Sequence, residues 1–150
     1  MRLRDFFTPG AISFDLQATD KDSVLDELVR LLGMDPRAGD TLLRVLLRRE
    51  SLGSTGMGRG IAIPHCRSLV ANRLRLAYGL SRNGIGFQAI DGKPVHHIFL
   101  IVAPPLEISN QYLPVLGRIA QFAKEPDVPD RLAALTQPED FFRLLEEKGA

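Results

Sequence analysis

The sequence predicts an α/β chain built as a three-layer helix–sheet–helix domain. Three observations carry that expectation. Segments with strand-like alternation are interleaved with segments whose apolar residues fall at helical spacing, which is the signature of a sheet covered by helices on both faces. The chain has 150 residues, enough for one domain with a sizeable core, so residues 1–150 are read as a single unit. Its composition, 45% hydrophobic and 25% charged, is that of an ordinary globular protein.

The elements follow in order. Residues 3–7 read as a short helix, stopped by Thr8-Pro9-Gly10. Ala11–Leu16 alternates Ile12, Phe14 and Leu16 against smaller or polar neighbours and is a half-buried strand. Thr19 or Asp20 caps a helix whose stripe is Val24, Leu25, Leu28, Val29 and Leu32, and Gly33 with Asp35-Pro36 ends it. A second helix starts at Asp40 or Thr41 and delivers Arg49 and Glu50 at its C-terminal end. Ile61–Ile63 and Leu74–Leu80 are strands; Asn83-Gly84 and Asp91-Gly92 are turn signals; Val95–Val102 is a central strand closed by Pro104-Pro105. The next helix starts at Ser109–Gln111, because Pro114 must lie in its first turn. Its expected buried face is Leu113, Leu116, Ile119, Ala120 and Ala123. Helices over Val128–Leu135 and Pro138–Glu147 close the chain.

Charge and cysteine content exclude several classes. A net charge of +1 provides no broad field for nucleic acid or an anionic membrane, although Arg48, Arg49, Arg59 and Arg67 gather around one motif and suit a local anion or an acidic partner. A single cysteine, Cys66, rules out an internal disulfide framework. The start lacks the apolar stretch of a signal peptide, and the longest apolar run, Ile98–Ala103, is too short to span a bilayer. A cytoplasmic protein without direct membrane insertion is the simplest reading.

Chemistry concentrates in Arg49–His65, R-E-S-L-G-S-T-G-M-G-R-G-I-A-I-P-H. Gly53, Gly56, Gly58 and Gly60 let the backbone turn tightly and approach a ligand, Ser54 and Thr55 add hydroxyls, and Pro64 ends a short strand just before His65. A histidine emerging at a strand end beside a loop rich in N–H groups is placed to carry a phosphoryl group on its imidazole. Neutral imidazole is nucleophilic near physiological pH.

Two blocks carry a family resemblance. Arg49–His65 fits the pattern R-E-x-x-G-S-T-G-x-G-x-G-I-A-I-P-H throughout, and Gly86–Val95 followed by Ile98–Pro104 resembles a second signature. The chain thus resembles the type 2 enzyme IIA domains of the phosphoenolpyruvate-dependent phosphotransferase system, the fructose, mannitol and nitrogen-regulatory IIA proteins. Its N-terminal segment looks most like the nitrogen-regulatory branch. The resemblance implies a small mixed sheet with helices on both faces. It implies phosphate transfer from a histidine phosphocarrier protein (HPr-like) to Nε2 of His65, with a IIB component or a regulatory target downstream. It also implies Arg49 as the cation that holds the phosphoryl oxygens, where a dipole-balancing surface charge is the plainer alternative. Ser54, Thr55, Gly56 and Gly58 form the expected phosphate loop, or simply a tight helix-to-strand turn.

The chain departs from the family at Tyr112. Family members usually carry a second histidine in a pattern like H-L-x-x-L, and here the positions read Tyr112-Leu113-Pro114-Val115-Leu116. A phenol donates a hydrogen bond but carries no positive charge. Tyr112 is therefore either a phosphoryl contact or a packing residue, and the rival function is a regulatory binding module with the IIA fold and weak or absent transfer. No cofactor is expected. Gly53-x-x-x-x-Gly58-Arg59-Gly60 lacks the Lys-Ser/Thr of a nucleotide-binding loop and leads into a strand. No metal is expected either: His96 and His97 are adjacent on a strand and point to opposite faces. Glu50 reads as a partner of a nearby cation or a cap for loop N–H groups. Cys66, Phe87, Phe99 and Phe122 read as packing residues.

Overall fold

A computed structural model describes residues 1–150. Six strands form one mixed sheet: β1 (Phe7–Ser13), β2 (Gly56–Gly58), β3 (Ile61–Ala62), β4 (His65–Arg67), β5 (Arg75–Ile85) and β6 (Val95–Ala103). Their order is β1-β5-β6-β3-β2, with β4 also pairing β6. β5 and β6 run antiparallel, whereas β1 on β5 and both β3 and β4 on β6 are parallel. The helices are α1 (Lys21–Leu31), α2 (Pro36–Leu52), α3 (Tyr112–Ala123), α4 (Val128–Ala133) and α5 (Pro138–Glu147).

Strand alternation sorts the core into two layers. Leu74, Leu76, Tyr78, Leu80, Phe99 and Ile101 point to one face and pack with Val115, Ile119, Phe122, Leu132, Phe141 and Leu145 of α3, α4 and α5. Ala77, Ile98, Leu100 and Val102 point the other way, against Val24, Leu25, Leu28, Leu42 and Leu46 of α1 and α2, with Phe87 beside them. This is the expected three-layer arrangement.

Several boundaries differ from the sequence expectation, each for a local reason. Thr8-Pro9-Gly10 does not stop a helix. A four-residue 3-10 turn ends at Phe6, and the three residues bulge outward within β1, between the pairs Phe7–Leu76 and Ile12–Tyr78. β1 is an edge strand, so a proline without an N–H is tolerated there. α2 begins four residues before Asp40: Asp35 caps it by accepting from the N–H groups of Arg37 and Ala38, and Pro36 occupies the first helical position, where its missing N–H costs nothing. Of the two candidate caps for α1, Asp20 accepts from Ser23 N–H at 2.8 Å. Asn83-Gly84 is not the hairpin turn but a bulge inside β5, which resumes pairing at Ile85–Val95. α4 stops at Ala133, two residues early. α3 starts at Tyr112 and buries Val115, Ile119, Phe122 and Ala123, so its core stripe is rotated from the expected one. Leu113 is 70% exposed, while Leu116 and Ala120 are only partly buried against the core.

Candidate active site

The site forms where α2 ends, β4 begins and α3 starts. β3 and β4 are one strand path along β6, interrupted at Pro64: Ala62 pairs with Ile98, Pro64 O accepts from Ile101 N–H at 2.9 Å, and His65 pairs with Ile101. The ladder lapses over Ile63 and Pro64, where proline has no N–H to give, while the Pro64 carbonyl keeps the path in register. His65 therefore leaves a rigid sheet at a defined angle, half-buried.

The ring of His65 is oriented by its own chain. Nδ1 lies 2.6 Å from Ile63 O. A carbonyl only accepts, so Nδ1 carries the proton and the lone pair of the neutral ring is on Nε2. Around His65 a cavity of about 410 Å³ is lined by Val45, Arg48, Arg49, Leu52, Cys66, Arg67, Tyr112, Leu113 and Leu116. A second, adjoining cavity of about 310 Å³ shares Arg49, His65 and Leu116 and adds Ser54, Thr55, Gly56 and Met57.

Arg49 Nη1 donates to Gly53 O at 2.8 Å. One of its five N–H groups is so used, and Arg49 lines both cavities beside His65. The Tyr112 ring lies beside His65, tilted 53° to it, with ring centroids 5.9 Å apart. Burial pushes its phenol up to about 12, so it stays a neutral donor through the physiological range. The guanidinium of Arg67 sits 4.7 Å over the Tyr112 ring and donates to Pro104 O at 2.7 Å and Ser109 O at 3.2 Å. Arg67 thus clamps the segment before α3 and holds Tyr112 against the site.

The loop is organised mostly by its own bonds. The Glu50 carboxylate accepts from Lys21 Nζ at 2.7 Å, from Thr55 N–H at 3.2 Å and from the Thr55 hydroxyl. Glu50 thus both pairs with a cation and caps the loop. The Ser54 hydroxyl donates to Phe87 O and accepts from Gly56 N–H at 3.0 Å. Both hydroxyls are committed inside the protein, and Ser54 would have to release Phe87 to donate to a ligand. Gly56 is packed so closely that an added Cβ would stand 2.8 Å from Ala89 Cα, which only glycine permits. Gly58, at φ +89°, lies on the hairpin tip beside Asp91 and does not line either cavity. Arg59 also lies away from the site, donating to Lys124 O at the end of α3.

Residues 5–148 match the family described as phosphoenolpyruvate-dependent sugar phosphotransferase system, EIIA 2. The chain belongs to this family. It is 32% identical over 148 residues to a nitrogen regulatory protein of Pseudomonas aeruginosa, covering 97% of this chain and 95% of that one. It is 30% identical over 134 residues to the fructose-specific EIIABC component of Bacillus subtilis, spanning 88% of this chain but only 21% of that longer protein. Among solved structures, the nitrogen regulatory protein IIA-Ntr of Neisseria meningitidis superposes with a TM-score of 0.85 at 28% identity, covering 94% of this chain and 97% of that one. The Escherichia coli mannitol IIA structure, at 20% identity and a TM-score of 0.73, shares the fold. As an EIIA-type domain the chain is related both to nitrogen-regulatory proteins and to sugar phosphotransferase components, which are phosphotransfer proteins.

Three contributors escaped the sequence. The Ile63 carbonyl gives no sequence signal, because any residue has one. Lys21 comes from a distant helix. Arg67 was noted only as a nearby charge, although its position two residues after His65 on one strand puts both side chains on the same face. The remaining histidines stand apart from the site. His97 is buried and shares a 2.8 Å hydrogen bond with Tyr78 Oη, and His96 Nδ1 donates to Ser81 O at 2.8 Å. Cys66 borders the His65 cavity but packs its side chain in the α1–α2 layer, where burial pushes its thiol up to about 12. Phe87, Phe99 and Phe122 are core. No helix is long and apolar enough to cross a membrane.

Proposed function

We propose that the chain is a phosphoryl carrier that accepts phosphate on Nε2 of His65 from a histidine phosphocarrier protein, in a nitrogen-regulatory role. The observation that supports this best is the 2.6 Å bond from Nδ1 to Ile63 O, which leaves the Nε2 lone pair free beside Arg49. As the Nε2–P bond forms, the donor's P–N bond breaks and its electron pair returns to the donor imidazole. The ring of His65 gains positive charge, and the Ile63 carbonyl stabilises it at Nδ1–H. Arg49 binds the phosphoryl oxygens with its free N–H groups, and Tyr112 donates one further hydrogen bond.

The surroundings suit docking of a protein donor. Leu52 is 80% exposed and Leu113 70%, both on the rim of the His65 cavity, with Arg48 and Arg67 beside them. A mannitol IIA of Escherichia coli is described in complex with phosphorylated enzyme IIB, and that fold-mate makes a protein acceptor or a regulatory target the natural next partner. The end-to-end match to the nitrogen regulatory protein of Pseudomonas aeruginosa favours the regulatory role over sugar transport.

The test is to incubate the chain with phosphoenolpyruvate and the general phosphotransferase proteins, then map the modified residue. One acid-labile, base-stable phosphoryl group on His65 is expected, absent from His65→Ala. Label that persists in His65→Ala, or that maps to Ser54 or His97, overturns the proposal.

A further inference from the structure

A second basic cavity, of about 320 Å³, lies where the β2–β3 hairpin tip, the β5–β6 pair and α4 meet. We propose that it binds a small phosphate monoester on a hydroxylated carbon body, at a site separate from His65. Register places it at the far end of the same strand path: Ile61 pairs with His97 and His65 with Ile101, four residues apart, or ~13 Å at the usual rise. Its volume is that of a small-ligand pocket.

The lining supplies the recognition groups. Arg59 and Arg82 each anchor one Nη1 to a helix carbonyl, Lys124 O at 2.9 Å and Ala133 O at 3.3 Å. What holds each is a carbonyl rather than a carboxylate, so both guanidiniums keep full charge and free N–H groups for a bidentate oxyanion. His96 Nδ1–H donates to Ser81 O, which leaves its Nε2 as a second polar atom at this cavity. Asp130 is the one carboxylate in the lining. It opposes a bare anion but accepts from a hydroxyl, which is why the ligand is a monoester of an alcohol rather than free phosphate.

Backbone strain at Arg59 gives an independent reason. Gly58, Arg59 and Gly60 have φ of +89°, +59° and +78° in succession. A residue with a Cβ is disfavoured at the middle position, where glycine or asparagine is cheaper. The tip is held in place regardless: Arg59 N–H donates to Asp91 Oδ2 at 3.0 Å, and Gly60 O accepts from His96 and His97 N–H at 2.8 Å each. An observed strained arginine over a cavity is a reason to look for a ligand there.

The experiment is a titration of the full chain, at constant ionic strength, with glycerol 3-phosphate, inorganic phosphate, sulfate and glycerol, followed by backbone and imidazole NMR shifts. Glycerol 3-phosphate should give saturable shifts at Gly60, Ser81, the His96 ring and Ala133, at least fivefold tighter than inorganic phosphate or sulfate. Arg82→Gln should weaken binding tenfold or more. Arg59→Gly should weaken it similarly while keeping an equal or higher melting temperature, which separates binding from folding. His65→Ala should bind as wild type, so the result does not depend on phosphoryl transfer. Shifts confined to the His65 cavity, equal affinity for inorganic phosphate, or indifference to both arginine substitutions would overturn the proposal.

Discussion

His65 and His97 stand on adjacent strands of one sheet and have opposite environments. His65 leaves the sheet half-buried, its Nδ1 tied to a main-chain carbonyl and its Nε2 facing a cleft with Arg49. His97 sits inside β6 with 4% of its surface exposed, its Nδ1 bonded to Tyr78 Oη. Burial, with the neighbouring His96 ring adding to it, lowers its pKa to about 4. The same imidazole is thereby made into two different groups. A partner that only accepts fixes the tautomer and frees one nitrogen, while burial within the sheet keeps the other ring neutral. A histidine count carries none of this; the difference lies in what the backbone offers each ring.

The largest effect that would sharpen this contrast is at Arg49. Arg49→Ala removes the cation beside His65 while breaking only one bond to Gly53 O. Loss of one preorganised contact to developing charge costs roughly 2.7–4 kcal/mol, so phosphoryl transfer should slow by about a hundredfold to a thousandfold with the fold intact. Transfer kinetics and a melting curve on the same sample check it. Unchanged kinetics would make Arg49 a helix-end charge and leave His65 without its distinguishing neighbour.

At His97 the effect is on stability and on pH. The folded pKa of about 4 lies below the usual ~6.5 of an unfolded chain. Above pH 6.5 both states are neutral and the group is silent. As pH falls from about 6.5 to about 4 the unfolded chain takes the proton first, so stability drops by at most ~1.4 kcal/mol per pH unit, on the order of 2–3 kcal/mol in total. His97→Gln keeps a partner for Tyr78 and does not titrate. Denaturation at pH 7 and pH 4.5 should show a smaller loss for His97→Gln than for wild type. Equal losses would mean that His97 is not held neutral by its surroundings.

How far the sequence reaches is clearest at these positions. Strand alternation put Leu76, Tyr78 and Leu80 on one face, and helical spacing found α1, because burial imposes those periods directly. The family motif singled out His65, Arg49 and Tyr112, and the fold brings them to one cleft. The sequence did not reveal which hydroxyls are free. Ser54 and Thr55 read as phosphate-loop hydroxyls or as parts of a tight turn, and their bonds to Phe87 O and the Glu50 carboxylate depend on tertiary approach that spacing does not encode. Leu113 failed for a related reason. Its helix presents one stripe to the core and another to the cleft, and apolar spacing alone does not say which surface a stripe meets.

The smallest effect, and the one that probes the contrast most finely, is at Tyr112. Its phenol stays neutral because burial raises its pKa to about 12, and it lies under the Arg67 guanidinium. Tyr112→Phe removes one hydrogen-bond donor and keeps the ring beneath Arg67, so transfer should fall only a few-fold, consistent with a net ~1 kcal/mol for one hydrogen bond. Tyr112→His introduces a group that can be cationic, but Arg67 at stacking distance disfavours that charge and shifts its appearance below the unperturbed ~6.5. The phospho-form of Tyr112→His should therefore match wild type at pH 7.5 and outlast it only below about pH 6. Removing the competing charge with Arg67→Met in the same background should move that advantage toward neutral pH. Transfer rates and phospho-form half-lives for the three variants and wild type from pH 5 to 8 measure all of this. If the four curves coincide, Tyr112 is a packing residue, and the electrostatic difference between the two histidines rests on Arg49 alone.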